Sequence, residues 1–167
     1  DHLIQEFNPN LPGYGVISDH PELFDINLGT VGNDLGGPQS ANGDWMHINA
    51  VNYNPDLDQI VISSRAQDEI FILDHSTTSE EAAGQLGGNS GKGGDFLYRW
   101  GNPANYGRGD ESDRILGDQH SINWIPPGYP GGGNLILFNN FHEGINSAVL
   151  EFMPPLFYYI EDGEPYG

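Results

Sequence analysis

Cysteine is absent from this 167-residue chain, which excludes both a disulfide framework and thiolate metal sites. The absence leaves the compartment open, because a chain able to bury about 70% of its unfolded surface needs no covalent staples. Basic residues are scarce too: 5 Lys and Arg stand against 24 Asp and Glu, a formal charge of −19. Nucleic-acid binding needs a cationic footprint for the phosphates, and this composition excludes one. Binding to anionic membranes is disfavoured on the same ground. No apolar run approaches the ~18 residues of a membrane span, and no charged-then-apolar leader opens the chain. An acidic coat of this strength suits an extracellular or salt-exposed protein.

Long helices are excluded by what the chain has in plenty. Its 24 glycines and 12 prolines are scattered throughout, and each costs a helix interior about 1 or 3 kcal/mol respectively. Between these breakers lie runs of strand length, rich in branched and aromatic residues: "QIVISS" (59–64), "EIFILD" (69–74), "DFLYRW" (95–100), "NLILFN" (134–139) and "SAVLEF" (147–152). Only "STTSEEAAGQL" (76–86) reads as helix, one or two turns before Gly87. The expected class is all-β.

Two stretches repeat. One begins at His47 with "HINAVNYNPDLDQIVISS", the other 73 residues later at His120 with "HSINWIPPGYPGGGNLILFNN". Each places a histidine before an apolar strand, a turn, a second strand and a third. Four-stranded antiparallel units in repetition are the mark of β-propeller blades. The expected organisation is the end of a preceding blade and a connection over 1–40, one blade over 41–103 and another over 104–167. Two or three blades do not close a ring, so the remaining blades are expected from a longer protein or a partner chain.

His47 and His120 start equivalent strands, so neighbouring blades would bring both imidazoles to one channel mouth. Arg65 closes the next strand after His47, and a hairpin out and back returns it to the same end. Asn49 follows His47 by two, the interval that puts side chains on one face of an ideal strand. Two imidazoles, an amide and a guanidinium suit a small tetrahedral anion. Other readings stand beside this one. The histidines can be structural hydrogen-bond partners or a recurrent packing feature of the blades. They can also be two ligands of a metal site completed by Asp44 or Asp118. "NPDLD" (54–58) and "GDESD" (109–113) offer oxygens to calcium, but neither has EF-hand spacing.

The segments "DWMHINAVNYNPDLDQIVISSRAQDEIFILDHSTT", "GGDFLYRWGNP", "DQHSINWI" and "GNLILFNN" together resemble the arylsulfate sulfotransferase family, over about residues 40 to 153. The resemblance implies a six-bladed β-propeller, periplasmic or secreted. It implies transfer of a sulfuryl group from a phenolic sulfate to a phenol acceptor, with no nucleotide donor, through a sulfated histidine; no cofactor is expected beyond the calcium considered above. The Asp-Trp-x-His-x-Asn motif falls on Asp44, Trp45, His47 and Asn49, the Ser-Arg pair on Ser64 and Arg65, and the Gln-His motif on Gln119 and His120. His120 is then the nucleophile, with His47, Asn49 and Arg65 completing the catalytic set. Asp44, Trp45, Gln119, Asn139 and Asn140 are the implied substrate-binding residues, the last two from "FNNF" (138–141), where the family has Phe-Asp-Asn-Gly. The alternative is a propeller that has kept the scaffold and lost the chemistry, as a binding module or a structural extracellular protein.

Overall fold

Short extended runs with bulky side chains pair into sheets when turns bring their edges together, and this chain forms two such sheets. The computed structural model describes residues 17–25, 28, 45–143 and 145–155. The first sheet holds β1 (Ile48–Asn54), β2 (Gln59–Ser64), β3 (Glu69–Asp74) and β4 (Phe96–Trp100) in the order β1-β2-β3-β4. The second holds β5 (His120–Trp124), β6 (Leu135–His142) and β7 (Asn146–Phe152) in the order β5-β6-β7. Neighbouring strands are antiparallel throughout. The all-β expectation holds. Among the described residues the strands form two open sheets, closing neither a barrel nor a ring.

Local chemistry explains the joints. Between β1 and β2, the Asn54 side chain accepts from the N–H groups of Asp56 and Leu57, and Asp58 turns through a left-handed φ of 51°. The helical stretch expected over 76–86 contracts to a single turn, α1 (Ser79–Ala82). Thr78 caps it, with Glu81 reaching back to the Thr78 N–H. The glycines after Ala83 stop the helix there. β6 runs three residues further than "NLILFN" predicts, carrying the chain to His142.

The apolar core lies between the sheets. Val61, Ile70 and Ile72 of the first meet Ile122, Leu135 and Leu137 of the second, all 2% exposed or less. Each such side chain contributes roughly 1.5–3 kcal/mol by leaving water. The far face of the first sheet is covered as well, by residues 21–24, around a buried ion pair. Arg99 donates to both carboxylate oxygens of Glu69 at 2.8 and 2.7 Å. It also donates to the carbonyls of Pro21 and Leu23, and its guanidinium lies 4.2 Å from the Tyr106 ring centre. The outer face of the second sheet is open. There the directly paired Phe138 and Val149 are 40% and 64% exposed.

β1 and β5 belong to different sheets yet run side by side, stitched by asparagines. Asn49 donates to the Gln119 carbonyl at 2.7 Å, and Asn52 accepts from the Trp124 N–H at 3.1 Å. Because both contacts advance together along the two strands, β1 and β5 are parallel. Their starting ends therefore lie together.

Candidate active site

The repeat seen in the sequence is also a repeat of register. Ala50 pairs with Ser63 and Asn123 with Ile136, so both partners move on by 73 positions between the sheets. Each first strand then carries one extra residue near its start, between Ile48 and Ala50 in β1 and between His120 and Asn123 in β5. A bulge of this kind bends the strand and re-aims the side chains around it. It also breaks the alternation that would put His47 and Asn49 on one face, and Asn49 turns to the neighbouring sheet. Of the six described non-glycine residues with positive φ, five (His47, Asp68, Asp118, Ser121 and Glu143) gather at this end of the sheets. Such backbone is held in place only by surrounding contacts, and it concentrates at functional sites.

Those contacts can be followed outward from His47. The carbonyls of residues 45–47 face the end of β2 and the turn after it. Trp45 O accepts from Gln67 Nε2 at 3.3 Å, Met46 O from Ser64 Oγ at 2.5 Å and His47 O from the Arg65 N–H at 3.1 Å. Arg65 is thus brought beside His47, as the hairpin argument requires. Trp45 anchors the segment: its indole donates to Leu28 O at 2.6 Å and packs edge-on against Phe24. Asp44 lies outside the described residues.

The second histidine sits in a tighter frame. His120 Nδ1 is 2.9 Å from the Asp118 carbonyl and 3.1 Å from Asn140 Nδ2, while Asn140 itself donates to that carbonyl at 2.6 Å. A carbonyl only accepts, so a bare Nδ1 would set one lone pair against another. The Asn140 amide, a donor, makes its shorter contact with that same carbonyl, so the proton is assigned to Nδ1, and in a neutral ring the lone pair is on Nε2. Asp118 also places its carboxylate 2.9 Å from Arg65 Nη2, both side chains being partly buried.

Gln119 and Asn139 are wholly buried and bonded to the framework. Gln119 Nε2 donates to Ser63 Oγ and to the carbonyls of Ser64 and Glu69 at 2.9–3.1 Å. Asn139 accepts from the Gly117 N–H at 2.8 Å and donates to Ile115 O at 2.9 Å. Both brace the segment leading into β5. Of the residues marked by sequence, then, His120, Asn140, Arg65, Asn49 and His47 meet at one end of the paired sheets, and Gln119 and Asn139 lie beneath them.

Sequence reasoning missed Asp68. It sits in a left-handed turn after Arg65, accepts from the Asp118 N–H at 2.8 Å and pairs with Arg114 at 3.0 Å. Burial raises its pKa, opposed by the Asp118 N–H and by Arg114. The only signal for it was its place three residues after Arg65. Beside the site, Asp68, Arg114, Asp118 and Phe141 border a cleft of about 510 Å³. In the two sequences weighed for calcium, Asp110 and Asp113 cap the turn at Glu111–Asp113, and Asp58 accepts from Tyr53 and lies 2.7 Å from His75 Nδ1.

No curated protein and no solved structure matched the chain. A family model described as Arylsulfotransferase (ASST) matches residues 27–149, a span that includes both histidines, Arg65, Asp118 and Asn140. With most of its length inside that match, the chain belongs to the arylsulfotransferase family.

Proposed function

We propose that this chain is a segment of a six-bladed, extracellular or periplasmic β-propeller that transfers a sulfuryl group between phenols through a sulfated His120. The observation that carries the reading is that Asp118 holds both groups, its carbonyl 2.9 Å from His120 Nδ1, which leaves the lone pair of a neutral ring on Nε2, and its carboxylate 2.9 Å from Arg65 Nη2. The remaining blades come from a longer protein or a partner chain. The open apolar face at Phe138 and Val149 supports a neighbour there.

In the first half-reaction the Nε2 lone pair attacks sulfur. The bond from sulfur to the phenolic oxygen breaks, and its electron pair leaves with the phenolate. Arg65, Asn49 and His47 bind the sulfuryl oxygens and the developing charge. Asn49 commits one N–H to Gln119 O and keeps the second for substrate. In the second half-reaction the acceptor phenol gives its proton to a base, His47, and its oxygen attacks sulfur. The N–S bond breaks and its electron pair returns to Nε2.

The test uses the complete protein with a chromogenic phenyl sulfate. Donor alone should release one equivalent of phenolate and leave His120 heavier by one SO3 unit. Added phenol should then carry that group away. Transfer that continues undiminished in His120→Asn removes the mechanism. Saturable binding of the donor without turnover would instead mark a binding module.

A further inference from the structure

We infer that Asp118 is a positioning residue that sets the anion-gripping arginine and the nucleophilic histidine together, an inference resting on the sulfuryl-transfer reading above. Every polar group of Asp118 has a described role at the site. Its carboxylate pairs with Arg65 Nη2 at 2.9 Å, and its carbonyl holds His120 Nδ1 at 2.9 Å and the Asn140 amide at 2.6 Å. Its N–H donates to Asp68 Oδ1 at 2.8 Å. The neighbouring Gly117 is pinned too, donating to Asn139 and accepting from the Phe141 N–H at 3.1 Å.

The backbone at Asp118 is left-handed, φ 49°, a region that most side chains avoid and that Asp and Asn tolerate best. This turn lets a single residue send its carbonyl to the imidazole two places on and its carboxylate to an arginine of the other sheet. Asp68, itself left-handed at φ 53° and held by Arg114, fixes the turn from behind. Arg65 spends one terminal nitrogen on Asp118, and that anchor would hold the guanidinium in a set orientation for a sulfuryl group. Orientation of this kind acts mainly in the transition state, where a small displacement costs most.

Asp118 faces Arg65, His120, Asn140 and Asp68. The discriminating variant is Asp118→Asn, which keeps the volume, the carbonyl and the tolerance for left-handed backbone and removes only the charge. Two effects then oppose one another in ground-state binding. The Arg65 contact falls from a charge-assisted to a neutral hydrogen bond and its orientation loosens, while an anionic donor loses a repelling neighbour. The expected result is a fall in kcat of about tenfold to a hundredfold, with KM for the aryl sulfate unchanged or lower. In an Arg65→Ala background the same change should leave kcat unaltered, because there is no guanidinium left to orient.

Nitrogen NMR of the complete protein supplies a readout independent of turnover. His120 should show protonated Nδ1 in both wild type and Asp118→Asn. The side-chain N–H signal of Arg65 should be ordered in wild type and mobile in the variant. Unchanged kcat in Asp118→Asn, a proportional rise in KM, or an equal loss in the Arg65→Ala background overturns the inference. An unchanged Arg65 signal overturns it as well. A wild-type protein that shows the expected NMR but no transfer would overturn the catalytic reading and leave the positioning role standing. Transfer that is indifferent to Asp118→Asn would do the reverse.

Discussion

Asn49 and Gln119, 70 positions apart in sequence, are joined by one hydrogen bond of 2.7 Å from the Asn49 amide to the Gln119 carbonyl. That bond ties the bulge of β1 to the residue just before His120. Asn49→Ala removes it and strands a buried carbonyl, so the expected loss of stability is about 1–2 kcal/mol. Transfer activity should fall by a larger factor than stability alone accounts for. Chemical denaturation alongside initial rates measures both, and a wild-type rate in Asn49→Ala would sink the bridging role.

Gln119 makes a sharper case. Its amide nitrogen serves Ser63, Ser64 and Glu69 from a fully buried position. Gln119→Met fills the same space and satisfies none of these acceptors, at an expected cost of about 2–3 kcal/mol. Gln119→Glu should be worse, since it turns a carboxylate toward two carbonyls. Equal stability of the two variants would show that volume, not donation, is what the position demands.

The Glu69–Arg99 pair and the Arg114–Asp68 pair offer a contrast of burial. Arg99 is 1% exposed and Arg114 42%. Arg99→Met leaves the Glu69 carboxyl in the interior without its counter-ion, and the expected loss is about 3–5 kcal/mol. Arg114→Met gives up a solvent-screened pair worth at most about 1 kcal/mol. Urea unfolding of the two variants should rank them in that order.

Asp95 predicts a pH dependence. Burial, and next the charge of Glu22, push its carboxyl from the ordinary 3.8 up to about 6. Between those values the folded chain holds a proton that the unfolded chain releases. Stability from this group is therefore full below about pH 4 and is lost as pH rises through about 6. Asp95→Asn should melt with wild type at pH 4 and above it at pH 7. A constant difference across that range would contradict the assignment.

Much of the framework was legible in the sequence. Branched and aromatic runs bounded by turn residues located β2, β3 and β4 and most of β6 and β7, because pleated backbone favours those side chains and glycine and proline end them. The 73-residue repeat brought out β1 and β5 and the matched placement of the two histidines. Arg65 returned beside His47 because a hairpin reverses the chain. The strand period misled at Asn49. A bulge depends on how two strands meet, and alternation within one strand does not reveal it.

The site's inner detail was out of reach for a related reason. From sequence, Gln119, Asn139 and Asn140 are equivalent polar residues beside a histidine. Only packing divides them, two beneath the sheets on backbone groups and one at the imidazole. Asp68 looked like one among 24 acidic residues, and Asp118 stood out only as a candidate metal ligand. Their left-handed backbone and their partners 46 to 53 positions away exist only once the sheets have docked.

The sequence by itself determined the all-β class, the repeated unit and the residues that carry family character, since each follows from local preference or near-neighbour order. The tertiary structure decided which nitrogen of His120 holds the proton, which carboxylate orients Arg65 and which amides are spent on the frame. Those outcomes depend on hydrogen bonds between distant segments, and their geometry is set only when the core between the two sheets closes.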